Sequence, residues 1–279
     1  MKKIAITGPN GLVGSRIIEL LKNDFEFIPL SHKDIDITDK ELVAEQLKSI
    51  DFDILLHLAA YTNVEGAETD RSQAYLINVD GTSNIFHALE NTNKKIIYIS
   101  TDFVFDGTNP PYDENSKPNP LGYYALTKFN GEKVLQNTAM IVRIGFPYGN
   151  IKSVKPDFIM RVKQLLEEGK TLNMITNSTI TPTYIDDIAF ALKHLMDNYS
   201  PEIFHIVGSK SYSPFETGKL IAKTFGLDEK LVREISYEEY SKDKAPRPQF
   251  SEIISIKNTF QKMKNLEEGL NELKKQVRV

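Results

Sequence analysis

The chain has 279 residues, with 34 Lys plus Arg against 38 Asp plus Glu and a formal net charge of -4. Neither sign dominates and no clustered basic footprint is visible, which argues against nucleic acid as a partner, and the length suits one large domain or a domain with a smaller lobe. The absence of cysteine excludes disulfides and thiolate chemistry; the apolar run in MKKIAITG is too short for a signal segment or a membrane span, so a soluble, cytoplasmic protein is expected.

Taken in order, the chain alternates strand-like and helix-like segments. Lys3–Thr7 is a short apolar strand, and Val13, Ile17, Leu20 and Leu21 repeat at helical spacing behind GPNGLVG. Glu26–Leu30 is a second strand, Thr38 or Asp39 caps a helix running to about Lys48, and Asp53–Leu58 is a fully apolar third strand. A long helix over Ala74–Leu89, a strand at Ile96–Ser100, a helix over Tyr123–Gln136 and a strand at Met140–Ile144 complete the first half. This alternation predicts an α/β fold built on a parallel sheet.

Beyond Gly149 the rhythm loosens. Helices are expected over Phe158–Glu168, Tyr184–Met196 and Phe215–Phe225, with strands at Thr171–Met174 and Ile203–Val207. Pro246 and Pro248 interrupt the pattern, and Leu266, Leu270, Leu273 and Val277 form one apolar stripe on a charged terminal helix. The expected division is a dinucleotide-binding domain over 1–150 and a smaller C-terminal, substrate-binding lobe over 151–279, with part of 181–207 packing back onto the first.

Gly8, Gly11 and Gly14 follow a buried-type strand and open an amphipathic helix. The spacing is G-x-x-G-x-x-G, but the physical logic is that of a Rossmann-type dinucleotide loop: glycines let the backbone approach a pyrophosphate held by free N–H groups at the helix start. Where the second strand ends, Ser31, His32 and Lys33 offer no carboxylate for a ribose diol. NADP(H) is therefore favoured, with NAD(H) left open; Lys33 or Arg16 would be the counter-charge to a 2′-phosphate, Asp36 would lie beside the adenine, and His32 is either a surface residue or a phosphate contact.

The stretch from Ser100 to Lys128 carries the chemistry. The apolar run Ile96–Ile99 delivers Ser100, Thr101 and Asp102 to a strand end, and Tyr124 and Lys128 follow four residues apart, on one helical face. A hydroxyl, a phenol and an ammonium are the parts needed to protonate a carbonyl oxygen. The phenol's ordinary pKa of about 10 would be pulled toward neutrality by the adjacent cation.

Together these pieces resemble the extended short-chain dehydrogenase/reductase superfamily and, more narrowly, the dTDP-4-dehydrorhamnose reductase family. The resemblance runs along nearly the whole chain: GPNGLVG, DIDITD, HLAAYTNVEGAE, INVDGT, STDFVFDG, YYALTK, VRIGFPYG, ITPTYIDDIA and APRPQFSEI occur in family order. It implies a doubly wound parallel sheet and a cofactor held by Gly8, Asn10, Gly11, Leu12, Val13, Gly14, Ser31, Asp36, Ile37, Ala59, Ala60, Tyr61 and Asn78, with Tyr124 and Lys128. It further implies that Tyr124 protonates a C4 keto oxygen, that Lys128 binds the nicotinamide ribose and lowers the phenol's pKa, and that Thr101 is the third catalytic residue. Thr62, Val64, Thr101, Asp102, Phe146 and Arg247 would touch a nucleotide-sugar substrate, Arg247 as a diphosphate clamp.

Two positions narrow the implied reaction. Phe103 stands where sugar-nucleotide dehydratases carry Glu, and Phe146 stands where many epimerases carry Asn. Both favour simple reduction of a 4-keto-6-deoxysugar, most simply dTDP-4-dehydro-L-rhamnose to dTDP-L-rhamnose, a cell-surface polysaccharide precursor. Ile144, Gly145 and Pro147 depart from the family's usual Thr, Ser and Val, so the sugar or base can differ. An epimerase and a non-catalytic NADP-binding regulatory subunit, like that of methionine adenosyltransferase, remain alternatives. No metal-ligand cluster is visible, and a homodimer is left open.

Overall fold

The computed structural model describes residues 1–150 and 156–277; the first five residues of the expected second lobe and the last two of the chain lie outside the described residues. In chain order the main elements are β1 (Lys3–Thr7), α1 (Leu12–Leu21), β2 (Glu26–Leu30), α2 (Lys40–Ser49), β3 (Ile54–His57), α3 (Val64–Thr69), α4 (Arg71–Tyr75), a π-helical turn (Leu76–Asp80), α5 (Gly81–Leu89), β4 (Lys95–Thr101), α6 (Tyr123–Leu135) and β5 (Met140–Ile144). They continue with β6 (Pro147–Tyr148), α7 (Phe158–Glu167), β7 (Leu172–Ile175), β8 (Thr183–Tyr184), α8 (Ile185–Asp197), β9 (Ile203–His205), α9 (Pro214–Phe225), β10 (Val232–Ile235), α10 (Tyr237–Ser241) and α11 (Leu266–Val277).

Six strands form one parallel sheet in the order β2-β1-β3-β4-β5-β9. Residues alternate between its two faces. Ile4, Ile6, Ile54, Leu56, Ile97 and Ile99 pack with Ile17 and Leu21 of α1 and Ile188 and Leu192 of α8. Ala5, Leu55, Ile96 and Tyr98 face the other way, onto Val43 and Leu47 of α2 and Ile85 and Leu89 of α5. A sheet covered on both faces must be apolar throughout, which is why these strands read as continuous Val/Ile/Leu runs. The result is a Rossmann-type doubly wound fold. Strand order reverses between β1 and β3, and the crevice at their C-terminal ends is where such sheets bind ligands.

A smaller cluster stands beyond the sheet. Here β7 pairs in parallel with β10, and α7, α9 and α11 close around Ile159, Val162, Met174, Ile221, Leu266, Leu270 and Leu273. Helix α9 is well delimited, with a capping box between Ser213 and Glu216 and a left-handed Gly226 at φ 71 to end it. The terminal stripe is shorter than the spacing implies, because Val277 is exposed. Among the described residues, no helix is long and apolar enough to cross a membrane.

Among the elements that differ from expectation are one helix and one strand. The helix expected over Ala74–Leu89 is interrupted by the π turn at Leu76–Asp80, which carries Asn78 to an internal tie. Asn78 donates to the Tyr61 carbonyl (3.1 Å) and to Thr127 Oγ1 (2.9 Å), and accepts from the Tyr61 N–H (2.8 Å). The short β10 went unrecognised because two of its four residues, Arg233 and Glu234, are exposed and charged.

Candidate active site

A cavity of about 800 Å³ opens at the C-terminal ends of β1, β3 and β4. Its first wall is the glycine loop. Thr7, the last residue of β1, accepts hydrogen bonds from the backbone N–H groups of Leu58 and Ala59 (3.2 Å each) and bonds His57 Nδ1 at 2.7 Å. That tie brings the loop after β3 against the loop after β1. Gly8 has φ +67, and a Cβ there would lie 2.9 Å from the Ala59 nitrogen; one on Gly14 would lie 2.4 Å from the Gly8 carbonyl oxygen. Only glycine fits either position, so the backbone is free to receive a pyrophosphate at the start of α1.

Gly8, Gly11, Leu12, Val13 and Gly14 line this wall, and Ala59, Ala60 and Thr62 line the one facing it. Asn10, although in the loop, is exposed and outside the lining. At the far end Leu30, His32, Ile35, Asp36, Ile37 and Thr38 complete the cleft. Asp36 Oδ1 accepts from Thr38 N (3.0 Å) and Oγ1 (2.7 Å), and these bonds hold its carboxyl below the ordinary value.

The second-strand end requires two corrections. Arg16 is no counter-charge to a 2′-phosphate, because its guanidinium is spent on Asp186 of α8 (Nε 2.6 Å, Nη2 2.7 Å) and on Glu19 (2.8 Å). A carboxylate does stand at the strand end: the chain turns back so that Asp34 Oδ2 accepts from the Ser31 N–H (2.9 Å) and hydroxyl (2.5 Å). Ser31 is thereby occupied and does not line the cavity, whereas His32 does.

The third wall comes from β4 and α6. Thr101 ends the strand and donates to Asp102 Oδ1 (3.0 Å) while accepting from the Phe103 N–H (3.2 Å). The long loop that follows is organised by Asp106, which accepts from Thr108 N and Oγ1, Tyr112 OH and Asn119 Nδ2 at 2.7 to 2.9 Å. Helix α6 then places Tyr124 and Lys128 on the same cavity wall as Thr101 and Asp102. An aromatic row borders them: Phe103 meets Tyr124 edge-on (6.2 Å between centroids), and Phe146 lies 5.9 Å from Phe103 and 6.2 Å from Phe158. Phe146 adopts φ +40, an unusual conformation for a bulky residue, held between Gly145 and the fixed φ of Pro147.

The electrostatics run opposite to the expected pull of a cation on the phenol. Burial pushes Tyr124 up to about 12, with Thr101 opposing and the Asp102 charge adding. Burial also draws Lys128 down to about 7, against Glu132. The Lys128 ammonium donates to the Ile99 carbonyl (2.8 Å) and lies 4.0 Å over the Tyr98 ring, so it is directed into the sheet. Tyr124 is thus a protonated phenol throughout the neutral range, the state a proton donor needs.

Ser100 Oγ and Asp102 Oδ2 are buried in this wall without a hydrogen-bond partner. Burial raises the Asp102 carboxyl to about 7, although Thr101 opposes it. A folded-state pKa above the unfolded carboxylate's gives stability that is full below about pH 4 and is lost as pH rises through the folded value. The unfolding free energy of the wild type minus that of Asp102→Asn should therefore fall between pH 4 and 7 and level off above. A difference flat across that range would show an unshifted carboxyl.

Four other expected site residues, Tyr61, Asn78, Val64 and Arg247, lie outside the lining. Tyr61 is bonded to Asn78 as described, Val64 opens α3, and Arg247 pairs with Glu65 and donates from Nε to the Ala245 carbonyl (3.1 Å). The cavity also takes in Gln73, Ile77, Ile144, Pro147 and Pro156; no motif marks Gln73, which reaches it on α4, whereas Ile77 opens INVDGT and reaches it through the π turn. Among the described residues, no group of three or more His, Asp or Glu could hold a metal ion.

The family model described as the RmlD substrate binding domain matches residues 1–279. The spore coat polysaccharide biosynthesis protein SpsK of Bacillus subtilis is 32% identical over 258 residues, covering 90% of this chain and 88% of that one. The probable low-salt glycan biosynthesis reductase Agl14 of Haloferax volcanii is 30% identical over 244 residues, 81% of each chain. A crystal structure of dTDP-4-dehydrorhamnose reductase from Bacillus anthracis in complex with NADP superposes with a TM-score of 0.91 at 31% identity, covering 99% of both chains.

Proposed function

The chain belongs to the RmlD substrate binding domain family, and from that membership we propose that it reduces the C4 keto group of a nucleotide-activated 4-keto-6-deoxysugar, with dTDP-4-dehydro-L-rhamnose as its substrate and NADPH as the preferred cofactor. One observation carries the reading: a protonated Tyr124 shares a single cavity with Thr101, Asp102, Lys128 and a glycine loop shaped for a pyrophosphate. The likeness to the NADP-bound reductase of Bacillus anthracis supports the choice of both sugar and cofactor.

In this reading Gly8, Gly11 and Gly14 would hold the cofactor's pyrophosphate, Asp36 and Ile37 would border its adenine, and His32, which lines the same end of the cleft, would be available to a 2′-phosphate. Bound NAD(P)H supplies the hydride. Tyr124 gives its phenolic proton to the C4 oxygen as negative charge develops there, and Thr101 hydrogen-bonds the same oxygen. Lys128, drawn down by burial and held at the Ile99 carbonyl, would place positive charge behind the phenolate that the transfer leaves. Asp102 holds a sugar hydroxyl through its unpartnered oxygen. Phe103 and Phe146 give the sugar an apolar wall where an eliminating or epimerising enzyme needs an acid or an amide. The lobe formed by β7, β10, α7, α9 and α11 receives the nucleotide, and the reaction takes place in the cytoplasm.

The test is a panel of nucleotide ketosugars offered with NADPH and with NADH, followed at the nicotinamide absorbance. Turnover should be fastest with dTDP-4-dehydro-L-rhamnose and NADPH. Absence of turnover with every ketosugar, alongside stable co-purification with a larger enzyme, would replace this reading with that of a regulatory subunit.

A further inference from the structure

Helix α3 lies between two parts of the proposed site, and each of its two carboxylates takes one backbone N–H and one arginine. Helix α6, which carries Tyr124 and Lys128, begins at Gly122, which has no side chain to cap it. A Cβ there would lie 2.3 Å from the Pro246 carbonyl oxygen, so the segment around Pro246 runs directly over the start of the helix. The missing cap comes from α3: Glu68 Oε1 accepts from the Tyr123 N–H at 2.6 Å, one residue before Tyr124. Its other oxygen takes Arg71 Nη2 at 2.9 Å, and the Arg71 guanidinium lies 4.9 Å over the Tyr123 ring.

One turn earlier on α3, Glu65 holds the overlying segment. Glu65 Oε2 accepts from the Ala245 N–H at 2.7 Å, and Oε1 accepts from Arg247 Nη2. The Tyr237 hydroxyl donates to the Arg247 carbonyl at 2.7 Å, pinning the same segment from the far side. Glu65 and Glu68 sit three residues apart and so share one face of the helix. Arg247 keeps Nη1 without a hydrogen bond among the described residues, which leaves one edge of a fixed guanidinium fork for an anionic group.

We infer that α3 is a positioning bracket: Glu68 sets the start of the Tyr124 helix, and Glu65 sets the Arg247 segment that lies across it. The inference rests on the reading of Tyr124 as proton donor and Arg247 as the ligand of the substrate's diphosphate. A carboxylate at a helix start satisfies an otherwise orphaned N–H and complements the helix dipole. Because Tyr124 is the next residue, an unanchored Tyr123 lets the phenol drift from the carbonyl. Misplacement of a reacting group by about 1 Å costs on the order of 10²-fold in rate.

The two carboxylates should therefore separate kinetically. Glu68→Ala is expected to lower kcat by about tenfold or more with NADPH affinity unchanged, while Glu68→Gln, whose amide oxygen still accepts from Tyr123, recovers most of it. Glu65→Ala should raise the KM for dTDP-4-dehydro-L-rhamnose by about tenfold and leave kcat within about twofold. Amide hydrogen exchange on the full chain gives a readout that does not depend on the substrate being right: the first turn of α6 should exchange faster in Glu68→Ala and at the wild-type rate in Glu68→Gln. Equal behaviour of the two Glu68 variants in exchange would overturn the bracket, as would a Glu65→Ala protein with unchanged KM. The expected exchange differences among the variants, found while the wild type turns over no ketosugar, would instead overturn the functional reading and leave the bracket standing.

Discussion

Tyr124→Phe should bind NADPH as the wild type does and lose about 10²–10⁴-fold in kcat, the range expected for removal of a general acid. The substitution keeps the ring that meets Phe103 edge-on at 6.2 Å and removes only the hydroxyl. Burial keeps that hydroxyl protonated up to about pH 12, so at neutral pH the wild type has its proton in place and the variant has none. Equilibrium titration with NADPH and steady-state kinetics on one preparation separate binding from chemistry. A variant turning over within about threefold of wild type would assign proton donation to another group.

The largest effect on stability is expected behind the site rather than in it. Arg143 on β5 and Glu132 on α6 are both almost fully buried and form a bidentate pair, with Nε 2.9 Å and Nη2 2.7 Å from the carboxylate oxygens. The third guanidinium nitrogen lies 3.4 Å from His205 Nε2, and His205 Nδ1 lies 2.8 Å from the Ile254 carbonyl oxygen. Burial, and then the Arg143 charge, hold His205 down to about 4, so it is neutral at pH 7 and accepts from Arg143. Glu114 continues the network, accepting from the His205 and Ile256 N–H groups at 2.9 Å each and from the Ser255 hydroxyl. Arg143→Ala strands the Glu132 carboxylate in the interior and should cost about 3–5 kcal/mol in urea unfolding. Arg143→Met combined with Glu132→Leu removes both charges and should cost less than Arg143→Ala alone. If the double variant is the less stable of the two, the stranded charge is not the cause.

Both expectations show which parts of this protein can be read along the chain. The glycine loop and the buried strands are written locally: Ile4 and Ile6, Ile54 and Leu56, and Ile97 and Ile99 recur at strand spacing, and Gly8 and Gly14 occupy positions where no side chain fits. Tyr124 and Lys128 were legible for the same reason, since one helical turn places them together. What could not be read depends on partners distant in sequence. Arg16 looks free beside the loop until Asp186 meets it from α8, and Lys128 looks directed at the phenol until its hydrogen bond to the Ile99 carbonyl turns the ammonium into the sheet. Asp34 escaped notice because a turn, not a strand, brings its carboxylate back to Ser31. Glu65 and Glu68 stand in HLAAYTNVEGAE, but nothing in that string names their partners, and only the folded chain sets Ala245 and Tyr123 against them.

The central claim is that one cavity transfers a hydride to a sugar C4 and a proton to its oxygen. It is tested most directly by incubating the protein with dTDP-4-dehydro-L-rhamnose and NADPH deuterated at the transferring position of the nicotinamide C4, then examining the sugar by NMR. The account predicts one deuterium at C4 of the sugar for each NADPH consumed. A rearranged sugar formed without NADPH consumption, or a reduced sugar with no deuterium at C4, would contradict it.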